Sequence, residues 1–134
     1  MADNTFQLEI ATPERLLVQE RVTEAQIPAL GGMIGVLPEH APLLSEMGVG
    51  QLSYTGGEGR RTLFVSGGWL QILQNHVRVL TDRAEKANEI DVARAEASLK
   101  RAQERLIQPA AIDVARALNA MKRAEARIAA ARAK

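Results

Sequence analysis

The sequence predicts a β-sandwich, or flattened barrel, over residues 1–88, followed by an antiparallel α-helical hairpin over residues 89–134. Three observations predict it. All 10 glycines lie between Gly31 and Gly68, and the aromatics Phe6, Tyr54, Phe64 and Trp69 precede residue 89, whereas residues 89–134 hold no glycine and 15 alanines. Apolar residues alternate with period 2 before the break near Lys86-Ala87-Asn88 and recur about every 3.5 residues after it. Finally, Ile90-Asp91-Val92-Ala93-Arg94-Ala95 returns letter for letter as Ile112-Asp113-Val114-Ala115-Arg116-Ala117, with a period of 22.

The strands come first. Phe6-Gln7-Leu8-Glu9-Ile10 alternates strictly, as a half-buried strand should. Apolar runs at 16–20, 22–27, 51–54, 62–65, 69–73 and 77–80 repeat the theme. Gly31-Gly32, Gly56-Gly57-Glu58-Gly59, Gly67-Gly68 and Asn75-His76 punctuate them. Short strands with close turn signals point to a sandwich. Gly31-Gly32-Met33-Ile34-Gly35 is too loose for a phosphate loop and opens no helix, so it is expected to be a tight connection between strands.

The helices follow. Pro109 cannot lie inside a helix but suits the first turn of a new one, so it separates the two copies of the repeat. Val92, Ala95, Leu99, Ala102 and Leu106 form one seam, and Val114, Ala117, Met121, Ala124 and Ile128 its counterpart. At about 0.8 kcal/mol per buried methylene, an alanine-rich seam holds weakly. At about 100° per residue, Arg94, Arg101 and Arg105 fall within roughly 40° of one another, and Arg116, Arg123 and Arg127 repeat that geometry. Such rows are either a solvated face or a pair converging on a polyanion, since guanidinium groups bind phosphate bidentately. Asp91, at the start of the first helix, complements the helix dipole.

Charge and composition narrow the function. Residues 1–88 carry 7 Lys/Arg against 10 Asp/Glu and residues 89–134 carry 10 against 6, so the net +1 divides into −3 and +4. The basic second helix has no aromatic for base stacking and the whole-chain pI is about 8.2, a poor footprint for nucleic acid. That helix also lacks the Trp, Phe or Leu face that membrane insertion wants. There is no cysteine, no cluster of metal ligands, no nucleophile motif and no run of 18 apolar residues. A soluble protein without catalytic residues, metal or obligatory cofactor is expected. His40 and His76 stand alone in sequence, and His40 reads as a loop or interface histidine.

One stretch carries a family likeness. Gly32-Met33-Ile34-Gly35-Val36-Leu37-Pro38-Glu39-His40-Ala41-Pro42-Leu43-Leu44 closely resembles the G-x-[IL]-G-[IV]-x-P-x-H-A-P-L-[LV] signature of the epsilon subunits of F-type ATP synthases. Phe64-Val65-Ser66-Gly67-Gly68-Trp69-Leu70, followed by Val77-Arg78-Val79-Leu80-Thr81-Asp82, is similar to that family's second block. The resemblance covers essentially the whole chain. It implies a non-catalytic rotor subunit of the central stalk. The sandwich would grip the gamma subunit and rest on the ring of c subunits through Met33, Glu39 and His40. Many members place an acidic residue at the position of Met33, so that contact is apolar here or comes from elsewhere, Glu39 being the candidate.

The resemblance also implies a mobile hairpin that extends along gamma to the catalytic alpha and beta subunits and inhibits ATP hydrolysis. Lys122, Arg123, Arg127, Arg132 and Lys134 would make the inhibitory contacts. Ile90-Asp91-Val92-Ala93-Arg94-Ala95 matches the family's [IL]-D-x-x-R-A motif. By that likeness Ile90, Asp91, Arg94 and Ala95 would hold ATP as a regulatory ligand, with Arg101, Arg123, Arg127 and Glu85. Membrane association would come only through the complex, at the cytoplasmic face of the inner (plasma) membrane or at a plastid thylakoid. The rival expectation is a free-standing nucleotide-sensing module whose sandwich serves as scaffold.

Overall fold

The stretch before the break forms nine strands in a computed structural model that describes residues 4–107 and 113–133. These are β1 (Phe6–Ala11), β2 (Leu16–Ala29), β3 (Gly32–Val36), β4 (Leu43–Glu46), β5 (Val49–Gly56), β6 (Gly59–Ser66), β7 (Trp69–Leu73), β8 (His76–Leu80) and β9 (Arg83–Lys86). A 3₁₀ turn (Ala87–Glu89) leads to α1 (Val92–Ile107) and α2 (Val114–Arg132). The sheet order is β4-β7-β8-β1-β2-β5-β6-β9, with β3 paired to β2. All these pairs are antiparallel except β1 with β8, which run parallel.

The runs at 16–20 and 22–27 are one strand of 14 residues. β2 carries β1 and then β3 along one edge, and β5 along the other. An irregularity between Val22 and Glu24 bends it, as a bulge does. An Ala29–Met47 bridge, with Leu30 N donating to Glu46 O at 2.9 Å, brings the β4 side back to the end of β2. The result is the expected flattened barrel. Phe6, Leu8, Ile10, Val22, Ile27, Leu52, Leu63, Leu70, Ile72, Val77 and Val79 fill it, all fully buried. Gly68 has φ +96°, and a Cβ there would run into the Leu80 carbonyl, so the Gly67-Gly68 turn tolerates no side chain at its second position.

Three strands depart from expectation. β3 is a paired strand rather than a connection; its glycines hid a ladder that β2 completes from Ala25 to Ala29. β4 and β9 have four residues each, too few for alternation to show, and within β9 only Ala84 is buried.

Of the predicted seams, Ala95 and Ala102 of α1 and Ala117, Ala124 and Ile128 of α2 are buried. Val114 is a correction: it is 52% exposed, because the start of α2 projects beyond the packed stretch. α2 buries a second set, Ala130 and Ala131. It lies against β5 and β6 as well as α1, whereas α1 packs chiefly on α2. Pro109 and Ile112 fall outside the described residues.

Candidate functional site

The first construction element of the site is the repeat itself. Asp91 Oδ1 accepts from Arg94 N at 3.0 Å, and Asp113 Oδ1 accepts from Arg116 N at 2.9 Å. Each aspartate therefore caps its own helix, meeting a donor that the first turn leaves unpaired. Because the helices run antiparallel, the start of α1 faces the end of α2, as the Arg132–Glu96 ion pair at 3.3 Å records. Arg94 of α1 is thereby brought to the end of the hairpin where Arg123 and Arg127 of α2 lie.

At that end lies a cleft of about 370 Å³, lined by the sandwich and both helices. It gathers Glu85, Asp91, Arg94, Ala95, Arg123 and Arg127 from the expected nucleotide set. Arg101, of the same expected set, does not line the cleft. It reaches the site only by donating to Ser98 Oγ at 3.1 Å, while Ser98 does line it. Ile90 flanks the cleft without lining it. Sequence reading missed Arg83, Glu89, Ser98 and Ala120, which complete the wall. Alternation along β9 holds the signal for the first of these: Arg83 and Glu85 flank core-facing Ala84 and share the opposite face.

The hairpin is fastened here. Phe64 of β6 and Glu85 of β9 are cross-strand partners, and Arg127 covers both. Its Nε donates to Glu85 Oε1 at 3.0 Å, and its guanidinium carbon lies 4.4 Å from the Phe64 ring centroid. A second fastening holds the linker: Arg15 donates to both Glu89 oxygens, at 3.0 and 2.8 Å. With a further bond from the Lys86 N–H, this guanidinium lowers the Glu89 carboxyl to about 2.

Positive charge is left over. Among the described residues Arg83, Arg94 and Arg123 form no ion pair. Burial lowers the Arg123 pKa from its ordinary value, and the like charges of Arg83, Arg127 and Arg116 push the same way. The cleft is chemically suited to a polyanion.

The remaining expected contacts lie elsewhere. Met33, 58% exposed, sits at the β2–β3 tip beside Leu30. Glu39 and His40 belong to the loop beyond the other end of β3, where Glu39 N donates to Asn75 Oδ1 at 3.0 Å and His40 Nδ1 donates to Ala41 O at 2.7 Å. Lys122 flanks a groove of about 720 Å³ between α2 and the sandwich. Arg132 is paired with Glu96, and Lys134 lies outside the described residues. His76 contacts Glu9 at 2.9 Å on the sandwich wall. Among the described residues no helix is long and apolar enough to cross a membrane.

A flattened β-barrel fastened to a two-helix hairpin, with a cationic cleft at their junction, defines a small two-part binding subunit. Residues 5–87 match the family described as ATP synthase, Delta/Epsilon chain, beta-sandwich domain, and residues 88–132 its long alpha-helix domain. The ATP synthase epsilon chain of Solibacter usitatus is 54% identical over 107 residues, which are 80% of each chain. That of Koribacter versatilis is 44% identical over 106 residues, 79% of this chain and 74% of the relative. A chain of the Euglena gracilis mitochondrial ATP synthase shares the fold, with a TM-score of 0.84 at 23% identity over 96% of this chain and 82% of that one. The chain belongs to the ATP synthase delta/epsilon family, as an epsilon subunit of the F-type enzyme.

Proposed function

We propose that this subunit is a non-catalytic rotor element that couples gamma to the c ring and, through its hairpin, regulates ATP hydrolysis with ATP as the closing signal. The observation that carries the regulatory part is the cleft: three guanidinium groups that form no ion pair among the described residues, on elements that part when the hairpin leaves the sandwich. Phosphates would be met by Arg94, Arg123 and Arg127. Asp91 Oδ1 is committed to its helix, which leaves Oδ2 to accept from the adenine amino group. Buried Ala95, with Ala120 opposite, leaves room for a base.

In the docked hairpin Arg127 is held by Glu85 and Arg123 lines the cleft, so freeing these two for contacts with the alpha and beta subunits requires undocking. Residues 89–134, opened into helices laid end to end, would reach on the order of 69 Å at about 1.5 Å per residue. A ligand that binds only the docked form adds about 2.7 kcal/mol at a hundredfold excess over Kd, large against an alanine seam. The exposed tip of Leu30 and Met33 is the surface offered to the c ring, and the subunit sits peripherally, at the cytoplasmic face of the membrane, through its complex. The test is ATPase activity of the assembled complex with and without residues 89–134. Truncation is expected to raise hydrolysis at low ATP, and an unchanged rate would remove the regulatory role.

A further inference from the structure

We infer that Arg83, on β9, is the sandwich's own phosphate anchor, so that a bound nucleotide pins the hairpin to the sandwich rather than only drawing the two helices together. This rests on the nucleotide reading of the cleft. The expected set named one sandwich residue, Glu85, which is an acid and already holds Arg127. Without another contact, a polyphosphate would touch the helices alone.

Arg83 is placed to change that. It shares with Glu85 the face of β9 turned from the core, and it lines the cleft. Its backbone is fixed: Arg83 pairs with Ser66 of β6, and its carbonyl accepts from the buried Thr81 hydroxyl at 3.1 Å. Its side chain is exposed and, among the described residues, has no ion pair. Opposite stands Arg123 of α2, likewise unpaired, and the like charge that acts most on Arg123 is that of Arg83, ahead of two arginines on its own helix. Two guanidinium groups thus line one cleft from the two sides of the sandwich–hairpin boundary, and among the described residues neither is held in an ion pair. Repulsion there opposes docking of the empty hairpin. A phosphate between them accepts hydrogen bonds from both and reverses the sign.

That reversal gives Arg83 a signature that a structural residue lacks. In the full chain, R83A is expected to weaken ATP binding about tenfold by calorimetry, with R83K recovering part of the loss. Without ligand, the same R83A hairpin is expected to exchange its α2 amide hydrogens more slowly than the wild type, because a repulsion has gone. ATP bound by R83A within threefold of wild type overturns the anchor and leaves the nucleotide site standing. Weaker ATP binding with faster exchange in the empty protein, unrescued by R83K, also overturns it, since Arg83 then merely supports the fold. A wild-type chain that binds neither ATP nor tripolyphosphate at millimolar concentration overturns the anchor and the nucleotide reading together.

Discussion

Arg127 answers to three groups at once: the carboxylate of Glu85, the ring of Phe64 and the cleft in front of it. A charge-assisted hydrogen bond and a cation–π contact at a partly buried site together contribute about 1–2 kcal/mol. R127A should therefore speed amide exchange in α2 by about 5–30-fold while leaving the unfolding of the sandwich unchanged; equal exchange would show that the alanine seam alone holds the hairpin. Glu89 gives a pH handle on the linker. Its carboxyl is depressed to about 2 in the folded chain, so its pairing with Arg15 contributes fully above the ordinary carboxylate value near 4.5. That contribution fades as pH falls toward 2. The stability difference between wild type and R15Q should thus shrink on acidification from pH 6 to 3, and a constant difference would mean that solvent screens the pair to nothing. Asp91, Arg94 and Ala95 were legible because a motif names them, and Glu85, Arg123 and Arg127 through the wider family likeness. Phe64 was not, because cross-strand register brings it beside Glu85 from a distance in sequence, and Arg83 was not, because its strand has too few residues for its alternation to stand out.

At the scale of elements, the repeat is first a repeated helix start. Asp91 and Asp113 cap α1 and α2 through the same i to i+3 bond, and α2 begins at the residue after its cap. D113A should cost α2 about 1 kcal/mol, read as faster exchange of its first-turn amides. D91N separates two roles at the matching position. Asparagine caps about as well as aspartate, so α1 should keep its stability while ATP binding falls. A fall in helix stability equal to that of D91A would show that the charge serves the helix alone. Element type was legible where apolar residues recur with a clear period, as along β1 and both helices. It failed at β3, β4 and β9 for one physical reason. Those strands owe their conformation to a neighbour's ladder, Gly32–Val36 to β2 above all, and not to their own pattern.

In the molecule as a whole, the two parts touch through α2, the linker and the Phe64–Glu85 socket, while the sandwich core is built without the helices. Residues 1–88 should consequently fold alone, with one cooperative transition and a β-type circular dichroism spectrum. A disordered fragment would place the boundary wrongly and make the hairpin part of the core. The break in glycine and alanine use made the two-part plan visible from composition. The way the parts meet was not visible, because the second buried face of α2, Ala130 and Ala131, consists of residues whose size alone carries no direction.

The parallel pairing of β1 with β8 also sets an order of events during synthesis. Gln7 through Ala11 must wait for His76 through Leu80, so the barrel cannot close until almost all of it has been made. Long-range pairing of this kind takes on the order of milliseconds to seconds. The stretch from residue 89 to 134 takes about 2–9 s to add at about 5–20 residues per second. The ribosome thus has time to deliver a closed barrel before α2 is complete. α2, emerging after the barrel, then finds the Phe64–Glu85 socket already assembled, and Arg127 drops into a finished receptor.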